Sequence, residues 1–145
     1  MLKLLILSFA FLLTYSTSAQ KSEGETIHQF PEKSAEYKGG FEELYKFLSE
    51  NMQYPEEAKS NGIGGKVYVQ FVVGSDGTIK NVKVMKGIAP ICDDEAVRVI
   101  KLMPAWIPAE SNGKPVASLY LLPVHFKLPE PQTPDDVEES VDGVE

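Results

Sequence analysis

Cysteine is nearly absent from this chain: Cys92 stands alone among 145 residues, so no disulfide can form within it. A domain without disulfides must hold together by burying apolar side chains, and the valine-rich segments described below can supply such a core. Histidine is almost as scarce. His28 and His125 lie far apart, with no second histidine or cysteine spaced near either, so the chain carries no metal-ligand cluster. No basic cluster of the kind a nucleic-acid surface needs is present, no cofactor is expected, and there is no catalytic cluster.

Long hydrophobic runs are missing too. Leu4 to Leu13 is apolar apart from Ser8, but its ten residues, rising about 1.5 Å each, cover roughly half of a ~30 Å hydrocarbon core. Met1-Leu2-Lys3 gives a short basic start, and Thr17-Ser18-Ala19 offers small residues before Gln20. Residues 1–19 therefore read as a cleaved secretory signal, with an uncleaved membrane anchor as the alternative. No cysteine lies near the cleavage point to carry a lipid. Any contact of the remaining chain with a membrane is expected to be indirect.

What is present is unevenly charged. Seven acids and no base follow Pro129: Glu130, Asp135, Asp136, Glu138, Glu139, Asp142 and Glu145. Residues 129–145 thus read as an acidic disordered tail, and the remainder is close to neutral. Residues 20–38 are polar without sustained periodicity and read as a flexible leader. Gly39-Gly40 punctuates them and opens a domain expected over 39–128.

Within that domain, Phe41, Leu44, Tyr45, Leu48 and Met52 recur at helical spacing and predict a helix with those residues on its buried face. Pro55 suits the first turn of a short second helix, which Asn61-Gly62 stops. Val67, Val69, Phe71 and Val73 alternate with Lys66, Tyr68 and Gln70, predicting a half-buried strand with Val72 as the exception. Asp76-Gly77 makes a hairpin turn. The return strand, 79–86, has Ile79 out of phase with Val82 and Val84, which predicts a bulge. A third helix is expected to begin at Cys92 or Asp93, where Asp93, Asp94 and Glu95 suit the positive end of its dipole, and to stop at Pro104. A long connection then leads to a last strand over 116–128, with Leu122, Val124, Phe126 and Leu128 on one face.

Taken together, Tyr54-Pro55 with Ala58, Gly62 and Gly65, the strand Val67-Val69-Phe71-Val73, Asp76-Gly77, Glu95-Ala96, Trp106-Ile107-Pro108 and Gly113-Lys114-Pro115-Val116 resemble the C-terminal domain of TonB-type energy transducers. Gly39-Gly40-Phe41 resembles the Bacteroidetes-type variant. The resemblance runs from about Phe41 to Leu128. It implies an α+β, two-layer domain: a small three-stranded antiparallel sheet with helices packed on one face. It also implies a periplasmic, non-catalytic role in transport across the outer membrane, in which the last strand accepts an extended segment of an outer-membrane receptor, the TonB box. Another periplasmic protein, or a second copy of the chain, are further partners in this reading. A full transducer has a spanning N-terminal helix and a proline-rich spacer. Here the apolar run is short and residues 20–38 contain only Pro31, which leaves motor coupling open and a stand-alone adaptor or an inner-membrane-tethered form as alternatives.

Pro123 marks the last strand as an edge, because a proline within a sheet is tolerated where its missing N–H faces away from the ladder. Leu119, Leu121 and His125 share its parity. With Pro123 they form the candidate docking edge for strand addition, against the competing reading that the proline blocks unwanted pairing. Gln53, Tyr54 and Pro55 are candidates to support the partner groove. Phe71, Asp76, Gly77 and Trp106 are expected to be structural. Cys92 could serve a thiol redox enzyme, but the carboxylates beside it oppose a thiolate, and a buried inert thiol is the competing reading.

Overall fold

The computed structural model describes residues 24–130. The expected signal over 1–19, the first leader residues and 131–145 lie outside that range. Two long strands, β2 (Gly65–Val73) and β3 (Ile79–Lys86), follow two helices, α1 (Gly40–Asn51) and α2 (Glu56–Ser60). The third helix, α3 (Pro90–Lys101), leads to the short β4 (Ala109–Ser111) and the long β5 (Lys114–Phe126). A two-residue strand, β1 (Ile27–His28), precedes them all, and the main sheet runs in the order β1-β5-β2-β3.

Alternation in β2 organises the core. Val67, Val69, Phe71 and Val73 are fully buried, and in register they face Val124, Leu122, Tyr120 and Ser118 of the antiparallel β5. Leu44 and Leu48 of α1, Ala58 of α2, and Cys92, Ala96, Val99 and Ile100 of α3 join this same face in one buried cluster. All three helices therefore cover one side of the sheet, as the α+β reading requires. The phase conflict in β3 is resolved as the sequence predicts. Pairing slips between Val72↔Lys80 and Gln70↔Lys83, where Asn81 takes a left-handed φ of 52°, and this returns Val82 and Val84 to the core side.

Local chemistry sets the ends of these elements. Helix α2 closes in a Schellman motif: Ile63 N–H donates to Ala58 O and Gly62 N–H to Lys59 O, with Gly62 at φ +65°. In the β2–β3 turn, the Asp76 carboxylate accepts from the Thr78 hydroxyl at 2.6 Å and from the Thr78 N–H at 3.0 Å, and these bonds hold it below the usual carboxylate range. Gly77 has φ +82°, and a Cβ there would lie 2.1 Å from the Trp106 carbonyl oxygen. Its own carbonyl accepts the Trp106 N–H at 2.8 Å. The turn is thus clamped to the segment carrying Trp106, whose indole packs edge-on against Tyr37, Phe71 and Tyr120.

Several expectations are corrected. The sheet has five strands, not three, once β1 and β4 are counted. Residues 24–38 are not a flexible leader: β1 pairs in parallel with β5, Lys33 and Glu36 bridge to Glu110 and Ile107, and Ala35 and Tyr37 are buried. The long connection after Trp106 contains β4, joined to β5 by Asn112-Gly113, both with positive φ, as a type I′ hairpin turn requires. Helix α3 starts at Pro90, a residue suited to a first turn, and not at Cys92 or Asp93. On α1 the buried side holds Leu44 and Leu48, while Phe41 and Tyr45 of the expected stripe are 66% and 60% exposed.

Candidate functional site

The last strand has a neighbour on both sides only at Ser118, which pairs with His28 of β1 and with Val73 of β2. Residues 114–116 of β5 pair with β4, and Ala117 and Ser118 pair with β1. From Leu119 to Phe126, β2 is its sole strand partner among the described residues. The edge expected from the sequence is therefore open over this second stretch and covered before it. Its outer-face side chains are Leu119 (opposite Val72), Leu121 (opposite Gln70), Pro123 (opposite Tyr68) and His125 (opposite Lys66). Leu121 is 52% exposed and His125 is exposed, whereas Leu119 and Pro123 are half-buried.

Gln53, Tyr54 and Pro55 approach β5 from the opposite side. The Tyr54 ring meets Phe126 edge-on with centroids 5.5 Å apart, and its hydroxyl donates to the Ile63 carbonyl at 2.7 Å. Pro55 is the N-cap residue of α2. The exposed Gln53 offers its N–H to Glu95 Oε1 at 2.6 Å. These three residues reach the far end of the strand through Tyr54 but do not extend the outer face. The four residues expected to be structural lie away from the edge, apart from the contacts of Phe71 and Trp106 with Tyr120.

Glu95 fixes that corner. Burial raises its carboxyl pKa, but the hydrogen bonds from Arg98 and the Gln53 N–H, with the Arg98 charge, outweigh burial and leave it below its ordinary 4.5. Arg98 in turn donates to the Asn51 carbonyl at the end of α1. A carboxylate with a depressed folded pKa contributes stability above its unfolded pKa and loses it as pH falls through the folded value. Acidification from about pH 6 to about pH 3 should therefore destabilise the native chain more than Glu95→Gln, whose own cost at neutral pH is about 1 kcal/mol. Equal acid sensitivity in urea titrations of the two proteins would show that the corner is not held by this charge.

One feature escaped the sequence reading. Tyr37, Phe41, Leu44 and Tyr120 line an apolar groove of about 460 Å³ next to the start of the open edge. Burial holds the Tyr120 hydroxyl above its ordinary pKa, with Tyr45 and Glu36 adding to the effect. The spacing of Ala35 and Tyr37, two residues apart like alternate residues of a strand, was the available signal.

Cys92 is fully buried, and burial, with Asp93 beside it, pushes its thiol pKa up. A raised pKa and no solvent access both disfavour the thiolate that redox chemistry requires. Native protein should accordingly react with a thiol reagent at least about 100-fold more slowly than protein in denaturant. Comparable rates would restore the redox reading. Among the described residues no group of three His, Cys, Asp or Glu side chains is placed to hold a metal ion, and no helix is long and apolar enough to cross a membrane.

Comparison with known proteins places this geometry in context. No curated protein matches the chain. Two solved structures similar to it are solution structures of the Helicobacter pylori TonB-CTD. One spans residues 179–285 of that protein, with 25% identity, a TM-score of 0.46, and coverage of 61% of this chain and 79% of the other. The second spans residues 194–285, with 26% identity, a TM-score of 0.46, and coverage of 62% and 95%. The family model described as Gram-negative bacterial TonB protein C-terminal matches residues 50–128, from the end of α1 to just beyond β5. That match takes in β2, β3, α3 and the open-edged β5, and by it the chain belongs to the TonB C-terminal domain family.

Proposed function

We propose that this chain is a periplasmic TonB C-terminal module that takes part in TonB-dependent transport across the outer membrane, by adding an extended receptor segment to the open edge of β5. The observation carrying this reading is the stretch Leu119–Phe126, with β2 on one side and no strand of the described residues on the other. Pro123 supports the direction of the open groups. Proline is tolerated where its missing N–H faces away from the ladder, so Leu121 and His125, of the same parity, direct their N–H groups toward an incoming strand, while that of Leu119 is engaged by the pairing of His28 with Ser118.

The opposite edge of the sheet is a poorer acceptor. Strand β3 carries Lys80, Lys83 and Lys86 and two irregularities in its pairing, the kind of charge and bulging that blunts strand addition. Beside the β5 edge, the groove at Tyr37, Phe41 and Tyr120 offers apolar cover for side chains of a docked segment. Backbone hydrogen bonds would supply affinity and such a groove selectivity, a division of labour typical of strand addition. The role is binding, without catalysis or cofactor. An outer-membrane receptor is the partner this family membership favours; another periplasmic protein or a second copy of the chain would use the same edge.

The test is amide exchange with and without an extended peptide taken from a receptor's periplasmic N-terminal segment. Slowed exchange at Leu121 and His125, with β3 unaffected, is the expected result. Protection confined to β3, or none at saturating peptide, would refute docking at β5. Protection that grows with protein concentration in the absence of peptide would make the edge a homodimer interface.

A further inference from the structure

The sheet has a second feature, on the face turned away from the helices. Register places Lys66, Tyr68, Gln70 and Val72 of β2 on this face, with Lys86 opposite Tyr68, Lys83 opposite Gln70 and Lys80 opposite Val72. On the β5 side the same rows hold His125, Pro123, Leu121 and Leu119. None of these residues is acidic, and all four lysines are exposed. Lys80 reaches Glu25 at 3.4 Å, whereas Lys66, Lys83 and Lys86 have no carboxylate within bridging distance among the described residues. The helices are net acidic: Glu42, Glu43, Glu50, Glu56, Glu57, Asp93, Asp94 and Glu95 lie on α1, α2 and α3, against Lys46, Lys59, Arg98 and Lys101.

Immediately after β5 comes the most acidic part of the chain. Residues 131–145 contain Asp135, Asp136, Glu138, Glu139, Asp142 and Glu145, with Val137, Val141 and Val144 interleaved and no base. The exit point is defined. Leu128 packs beside Gly64, one residue before β2 begins and two before Lys66. We propose that the acidic segment 131–145 folds back over the lysine-bearing outer face of the sheet in the same molecule.

Distance permits it. The five residues from Glu130 to Asp135 span at most about 17 Å when extended. Crossing from β5 to β3 takes two strand spacings, about 10 Å, and the step from Lys86 to Lys83 adds about 10 Å. Asp135 and Asp136 thus come within reach of Lys86, and Glu138 and Glu139 within reach of Lys83. Each exposed ion pair is weak. Tethering, however, gives the segment an effective concentration in about the millimolar range, so several weak pairs act together. Leu121 and Pro123 lie in the same rows as Lys83 and Lys86, so the interleaved valines have apolar side chains to meet on the face that carries the lysines. The net negative charge of the helices, where Lys59 and Arg98 are already paired with Glu56 and Glu95, disfavours the segment there and favours the sheet face.

A nitroxide attached to the full chain at Val141→Cys tests this, because buried Cys92 does not compete for the label. At about 50 mM salt, the amides of Lys66, Lys83 and Lys86 should relax at least about threefold faster than those of α1 and α3. The difference should vanish near 1 M salt, where the screening length falls to about 3 Å. Lys83→Glu with Lys86→Glu should abolish it. So should Asp135→Asn, Asp136→Asn, Glu138→Gln and Glu139→Gln together, a set that leaves the sheet untouched. Uniform relaxation over both faces, or a difference that persists in high salt, overturns the proposal. Mixing isotope-labelled chain without nitroxide and unlabelled chain carrying it isolates contacts between copies. Enhanced relaxation in that mixture, matching the single-species sample, assigns the face to a second copy and also overturns it.

Discussion

Phe71→Ala is expected to lower stability by about 3–5 kcal/mol, the range for truncating a fully buried aromatic in a core that relaxes only partly. Phe71 lies where the sheet, the clamped turn and the N-terminal segment meet. Its ring stacks on Tyr120, its register partner on β5, with centroids 5.6 Å apart, and meets Trp106 edge-on at 5.4 Å. Removing it leaves a void under Trp106, which also carries the contact to Tyr37. The loss should therefore spread to residues 33–37 and to the turn that Gly77 ties to Trp106. For a domain of this size the whole folding free energy is about 5–15 kcal/mol, so the variant should be marginal. Urea unfolding measures the change, and Tyr45→Ala, at a position 60% exposed, serves as a near-neutral control. A loss below about 1 kcal/mol at Phe71 would mean that the core face of β2 has been misassigned.

Strong periodicity made much of this fold legible. The alternation in β2 is long enough to define both faces, and the conflict between Ile79 and Val82 reveals the slip at Asn81 because a strand cannot change phase without an extra residue. The failures come from elements too short to show a period. Strand β1 has two residues and β4 three, and each is fixed by pairing with β5, a distant part of the chain. Asn112-Gly113 was visible as a turn, but a turn alone does not reveal that the three residues before it pair with those after it. Phe41 and Tyr45 misled for a different reason. Their spacing fits an apolar helix face, yet the tertiary fold buries only the Leu44 and Leu48 strip and leaves a groove beside it.

For the candidate site, Pro123 points to the parity of the edge, because opposite Tyr68 it has no N–H to give to β2. That β1 and β4 occupy the start of the same strand was not readable, and this confines the open stretch to Leu119 onward. A docking ladder there would be short as a result. With the outward parity that Pro123 sets, the parallel pairing of His28 with Ser118 engages the Leu119 N–H, and Pro123 cannot donate, so the same-parity N–H groups left open are those of Leu121 and His125.

Leu121→Pro removes one of these two. A proline fits position 121 for the same reason it fits position 123: both share the parity whose N–H faces away from β2. The β2–β5 ladder should therefore keep its bonds and the folding midpoint should change little. Docking of an extended peptide should weaken by about 10-fold or more, since one backbone bond is lost and a partner carbonyl is left facing a group that cannot donate. Leu121→Ala provides the contrast. It trims an exposed side chain but keeps the N–H, and should weaken binding by no more than about threefold. Titration calorimetry with the receptor peptide, alongside urea unfolding of both variants, separates the outcomes. Equal weakening by the two substitutions would place the energy in the leucine side chain, against strand addition. A folding midpoint that collapses only in Leu121→Pro would mean that its N–H serves the internal ladder, so that the open groups belong to the other parity and the docking register must be reassigned to Tyr120, Leu122 and Val124.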